Sequence, residues 1–199
     1  CKGIDTGENN TFLRLWFEVE NEKISFPSIE PLETNVFSKY KWYPYNKGGA
    51  YRKWYGNNEY LINWGSDGST LRAFKGSNLR NKDYYFKKGL TWSTITSGGL
   101  SLRYFDYGHL FDNGGCCLFA ESHLLYILAL LNGSVQKCIM SLSPTINSQP
   151  GEIGRIPLII VEKEVENVEE IVKKNIKISK NDWDSFETSW DFEKHPLLN

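Results

Sequence analysis

Four turn clusters cut the segment between Val36 and Phe111 into short pieces: Asn46-Lys47-Gly48-Gly49, Gly56-Asn57-Asn58, Gly65-Ser66-Asp67-Gly68 and Ser97-Gly98-Gly99. The pieces between them are rich in aromatic and branched residues and too short for ordinary helices. Such runs form short strands that pair with their chain neighbours, so the segment predicts an irregular, mostly antiparallel sheet. LRYF from Leu102 and LFDNGGCCLFA from Leu110 extend the pattern to Ala120, with Cys116 and Cys117 as buried strand residues.

After Ala120 the period changes. Glu121 to Met140 predicts a helix, with Leu124, Ile127, Leu128, Leu131 and Val135 on one stripe and Gly133 as a candidate break. Glu162 to Ile176 predicts another, because Val161, Val165, Val168 and Val172 recur in a heptad-like seam. That seam is too short for a free coiled coil, so the helix is expected to pack on another domain. FLRLWFEV from Phe12 suits a strand or a short helix. Residues 25 to 34 hold two prolines and read as loop. SPTINSQPGEIGRIPLIIV from Ser143 reads as loop leading into a short apolar strand. The tail from Ser179 carries two tryptophans and two phenylalanines in acidic surroundings, and predicts docking on a surface outside the chain. The fold class that follows is α+β. An irregular, mostly antiparallel β-rich domain spans 1–160 with peripheral helices, and a helix and aromatic acidic tail occupy 161–199.

Charge divides along the same line. Residues 1–160 carry 17 basic and 14 acidic residues, and residues 161–199 carry 6 and 10. Within 35–90 there are eleven basic residues and three acids, a net of +8 in a chain whose total is −1. A basic block in a near-neutral protein points to a polyanion-facing surface. Its centre is WYPYNKGGAYRKWYGNNEYLINW, Trp42 to Trp64. Lys39, Lys41, Lys47, Lys53, Lys87 and Lys88 are candidates for phosphate contacts, and Arg52 is a candidate for phosphate or base. Arg72, Asn57 and Asn58 are candidates for base edges, since Arg suits guanine and Asn suits adenine. Gly48 and Gly49 allow a close backbone approach. Trp42, Trp54, Tyr60, Trp64 and Trp92 read as core. Tyr43, Tyr45, Tyr51 and Tyr55, beside glycines and charges, read as an exposed face, and Tyr51 among them is a candidate DNA contact.

Several chemistries lack their motifs. There is no G-x-G, no P-loop, no G-x-S-x-G, no NPPY or DPPY, and no acid two residues before a lysine. The four cysteines and three histidines show no metal-ligand spacing, and the cysteines read as reduced thiols in a cytoplasmic protein. The longest apolar run, Leu124 to Leu131, is far short of the ~20 residues of a membrane helix. With Cys1 first and Met140 the sole methionine, the chain reads as a piece of something longer. A carbohydrate-binding β module would also use aromatic platforms, and a protein-interaction domain would use the valine seam and aromatic tail. The +8 block favours a nucleic-acid module.

KGIDTGENNTFLRLWFEV, KWYPYNKGGAYRKWYGNNEYLINW, YYFKKGLTWSTITS and NDWDSFETSWDF with its following KHPLL carry a resemblance. Over nearly the whole chain it resembles the PglX family, the large DNA adenine methyltransferases of BREX phage-exclusion systems. The resemblance implies a target-recognition region similar to type I restriction specificity domains. It further implies a methyltransferase domain upstream, which holds S-adenosylmethionine and the NPPY-type motif, so this segment would carry no cofactor and transfer no methyl group alone. Implied partners are double-stranded DNA, that upstream domain and other phage-defence subunits. The stretch GGLSLRYFDYGHLFDNGGCCLF after Ser97 departs from the family pattern, as expected of a region that selects a target.

Overall fold

The computed structural model describes residues 1–33, 39–95, 98–141 and 148–198. Val36, Ser97 and the Ser143–Asn147 part of the expected loop lie outside them. The architecture is mixed α and β, with three small sheets and no strand longer than five residues among those described. β1 (Ile4–Asp5) pairs antiparallel with β5 (Asn78–Leu79). The second sheet runs β2-β4-β3-β8, from β2 (Leu13–Leu15), β4 (Tyr60–Asn63), β3 (Trp42–Asn46) and β8 (Leu110–Phe111). Its pairings are antiparallel except β3 with β8, where Tyr45 faces Leu110. The third sheet runs β7-β6-β9, all antiparallel, from β7 (Leu102–Phe105), β6 (Gly89–Ser93) and β9 (Gly115–Leu118). The mostly antiparallel α+β reading of the sequence therefore holds.

Six α-helices surround the sheets in the described chain: α1 (Asn9–Phe12), α2 (Gly65–Ala73), α3 (Leu124–Asn132), α4 (Ser134–Ser141), α5 (Pro150–Ile153) and α6 (Val165–Trp183). The turn cluster at Gly65 opens α2 rather than a plain loop. Ser66, Asp67 and Gly68 adopt left-handed φ of 52°, 54° and 69°, and a right-handed turn follows. The helix expected over 121–140 is two helices, broken at Gly133. Leu124, Ile127, Leu128 and Leu131 are buried as the stripe requires, but Val135, beyond the break, is 72% exposed.

One core joins β1, the second sheet and the start of the third, through Ile4, Phe12, Tyr43, Ile62, Trp64 and Phe111. A second lies where β6 and β7 meet α3 and α6, through Leu90, Trp92, Leu102, Leu128 and Val172. This corrects the expectation for the valine seam. It packs against residues of this chain, since α3 and the third sheet leave an apolar trough that Val168, Val172 and Ile176 fill. The helix begins after a 3-10 turn at Glu162–Glu164, leaving Val161 39% exposed, and it runs on to Trp183. Part of the tail also docks within the chain. Trp183 is buried, Trp16 Nε1 donates to Thr188 O at 3.0 Å, and the Trp190 ring meets Phe26 edge to face at 5.9 Å. Residues 157–161 form no strand and pass as exposed coil, tied to Tyr126 by its hydroxyl.

Three tyrosines expected on an exposed face are core. All five residues of β3 are buried, because β4 and β8 flank it and both faces are covered, so Tyr43 and Tyr45 are 0% and 2% exposed. The Tyr45 hydroxyl is satisfied at Ile4 O and Asp112 Oδ2, each at 3.0 Å. Tyr55 is 8% exposed, whereas Tyr51 is 47% exposed as expected.

Candidate functional site

The chain between Asn46, the end of β3, and Tyr60, the start of β4, is one long loop that carries Lys47, Arg52 and Lys53 of the basic block. Backbone bonds pin its centre to β7: Trp54 N donates to Leu102 O at 2.9 Å, and Tyr104 N to Trp54 O at 2.8 Å. These hold Trp54 at a φ of 73°, a conformation uncommon for a bulky residue. Ser179 Oγ on α6 donates to Lys53 O at 2.9 Å, and Ser93 Oγ on β6 to Gly49 O at 2.8 Å. Asn57 Nδ2 closes the loop on itself at Ala50 O, 2.8 Å away. A loop so restrained presents its side chains with little ordering left to do.

Two glycine positions make this possible. Gly48 and Gly49 have φ of 103° and 129°, which residues with a Cβ rarely adopt. Gly115 on β9 passes so close that a Cβ there would lie 2.1 Å from Asn46 O and 2.8 Å from Gly48 N. Beneath the loop lies Arg103 of β7, 1% exposed, with Nη1 directed to Arg52 O at 3.4 Å. Burial lowers its pKa to about 10, which leaves it charged at neutral pH.

Lys47, Gly48, Gly49, Asn57, Glu59 and Tyr60 line a concavity of about 430 Å³. A neighbouring one of about 400 Å³ shares Lys47 and Tyr60 and adds Asn9, Asn10 and Arg14. Lys47 Nζ lies 3.5 Å from Asp112 and over the Tyr60 ring at 5.9 Å. Lys39 and Lys41 line a separate concavity with Asn63 and Thr70. Ring contacts recur at the other cations: Lys39 over Tyr40 at 5.0 Å, Lys41 over Trp42 at 5.7 Å, Arg72 over Trp64 at 5.3 Å, Lys87 over Tyr84 at 5.5 Å and Lys88 over Tyr107 at 5.3 Å. A cation resting on a ring keeps its head at the surface and gives up less freedom when it meets an anion.

The structure thus brings Lys47, Gly48, Gly49 and Asn57 together, and puts Lys39 with Lys41. It leaves Arg72 on α2 and Lys87 and Lys88 before β6, outside both concavities. Arg72 bonds Asp67 through Nε and Nη2. Asn57 is bonded to Ala50 O as well, and three more candidates are engaged within the chain or buried. Arg52 pairs with Asp182 of α6 at 2.9 Å and lies over Trp183 at 5.1 Å. Lys53 Nζ donates to Asn132 O at 2.6 Å, and Asn58 is 7% exposed. Residues absent from the sequence-based set are Arg14, Asn9 and Asn10. The signal for Arg14 was present: it is the lone charge in Phe12–Phe17.

The site's chemistry is that of holding anions and presenting amides. Among the described residues no group of three or more His, Cys, Asp or Glu is placed to hold a metal ion. Burial pushes the Cys116 and Cys117 thiols up to about 11 and 12, away from thiolate reactivity. No helix among the described residues is long and apolar enough to cross a membrane.

No protein-family model matches the chain. It is similar to the adenine-specific methyltransferase BrxX of Escherichia coli O9:H4 (strain HS), 42% identical over 203 residues, covering 99% of this chain and 16% of that protein. It is also similar to the adenine-specific methyltransferase PglX of Lacticaseibacillus casei (strain Zhang), 39% identical over 207 residues, covering 99% of this chain and 17% of that protein. The resemblance read from the motifs therefore extends along the whole chain, which spans about one sixth of the length of the curated relatives it matches.

Proposed function

We propose that this chain is the target-recognition segment of an adenine-specific, S-adenosylmethionine-dependent DNA methyltransferase of a BREX-type phage-defence system. The observation that carries the reading is the correspondence of 99% of the chain with two adenine-specific methyltransferases. The basic, braced loop at Lys47 offers that role a surface. In this reading the duplex lies against the concavities at Lys47 and at Lys39–Lys41. Lys39, Lys41, Lys47, Lys87 and Lys88 hold phosphates, Gly48 and Gly49 let the backbone approach a groove edge, and Asn57 reads a base. Arg72 is a candidate for guanine. Arg52 and Lys53, tied to α6 and α3, hold the loop in shape. A separate methyltransferase domain of the full-length protein binds S-adenosylmethionine and flips the adenine out of the stack, as any enzyme acting on a base must.

An exchange experiment tests the reading. The corresponding segment of one relative is replaced by this chain, and methylated adenines are mapped across a genome. A change of methylated sequence is expected. A hybrid that keeps the recipient's sites at native efficiency would place recognition elsewhere.

A further inference from the structure

A concavity of about 210 Å³ shares no residue with the one at Lys47, although the same loop supplies part of both. Its walls include Tyr51, Lys53, Gly98, Leu100, Gln136 and Lys137. Among the described residues no acid lines it, whereas Glu59 and Glu18 stand in the two concavities at Lys47. Donors dominate. Lys53 Nζ spends one N–H on Asn132 O and keeps two. Lys137 is exposed on α4. Gln136 is 4% exposed, and its amide nitrogen is buried with no hydrogen-bond partner among the described residues. A donor left unmade in the interior is costly, and the terminal torsion of Gln is soft, so a small rotation offers the amide to an acceptor in the concavity.

The remaining wall is flat and apolar. A Cβ at Gly98 would lie 2.6 Å from Tyr51 Cβ and 2.7 Å from its ring carbons, so one side of Tyr51 rests on bare glycine backbone. The residue is still 47% exposed, which leaves ring surface open. A lone phosphate would use the lysines and leave Tyr51, Leu100 and the Gln136 amide unused.

We infer that this concavity is a subsite for one unpaired nucleotide, with its phosphate against Lys53 and Lys137, its base stacked on Tyr51 and an acceptor of that base facing Gln136. The inference rests on the DNA-binding reading and adds α4 to the surface. An enzyme that extrudes a base creates unpaired nucleotides beside its recognition face.

The test uses the 199-residue chain with two fluorescent 20-base-pair duplexes, one perfect and one carrying a single bulged thymidine, across 50–200 mM salt. The wild type is expected to bind the bulged duplex about tenfold tighter, and Tyr51→Ala to lose that preference. Lys137→Ala is expected to lower the salt slope on the bulged duplex by about 0.9. Both side chains are exposed, and matching thermal melts establish that the variants fold. Equal wild-type affinity for the two duplexes, a preference retained by Tyr51→Ala, or an unchanged Lys137→Ala slope overturns the subsite while DNA binding stands. Absence of binding to either duplex even at 10 mM salt overturns the DNA reading and this inference together.

Discussion

His109 shows how one buried residue sets a pH response. It is 3% exposed, with Nδ1 at 3.1 Å from Asp106 O and Nε2 without a partner. Burial lowers its pKa from 6.5 to about 4. The unfolded chain therefore takes up a proton between those values while the folded one does not, so stability is full above about pH 6.5 and falls as pH drops toward 4. The loss is on the order of 3 kcal/mol. Asp106, whose carboxyl burial raises, acts in the opposite sense near pH 4. Urea unfolding of His109→Phe between pH 7 and 4 should show a flatter profile than wild type, and an equally steep one would trace the slope to other groups. At Arg52 the expectation is small: its partner Asp182 is 61% exposed, so Arg52→Ala should cost no more than about 1 kcal/mol. Gly115→Ala is the opposite case. The clash with Asn46 O involves two backbones, neither of which can turn aside, and a melting temperature unchanged by that substitution would show that β9 and the loop separate freely.

Among the elements, α6 matters most to how the site is held. Its seam covers the third sheet, its Ser179 and Asp182 tie down the Lys53 and Arg52 end of the loop, and Trp183 lies under Arg52. Lys180 continues the anchor. Burial works against its charge, but bonds to Asp184 at 2.6 Å and Asp191 at 2.5 Å raise its pKa above the ordinary lysine value. Trp183→Ala should therefore cost about 3–5 kcal/mol in chemical unfolding, the range for a buried tryptophan. A cost within experimental error would mean that the tail docks elsewhere and that the loop stands without it.

At the scale of the whole molecule, a net charge of −1 leaves duplex binding to the local basic surface. Affinity should be weak and steeply salt-dependent. Lys47→Ala and Lys41→Ala should each lower the salt slope by about one, uniformly across sequences, while Asn57→Ala should weaken some sequences more than others. Unchanged slopes in both lysine variants would turn these side chains away from the DNA. The acidic 161–199 segment does not oppose this surface evenly, since Asp182 is spent on Arg52, and Asp184 and Asp191 on Lys180.

Local chemistry determined much of this protein. Turn clusters cut the chain into strands of five residues or fewer, the 3.6-residue stripe marked α3, Gly133 broke it from α4, and the valine seam marked the buried face of α6. Each is a signal carried within a few residues of chain. The basic character around Lys47 was legible for the same reason, because charge needs no partner to be counted. Tertiary structure decided which groups keep that charge for a ligand. Only the docking of α6 turned Arg52 toward Asp182, and only the neighbours of β3 buried Tyr43 and Tyr45. Gln136 and Lys137 joined Tyr51 because packing of α4 brought together residues some 85 positions apart, a distance over which no sequence pattern carries information.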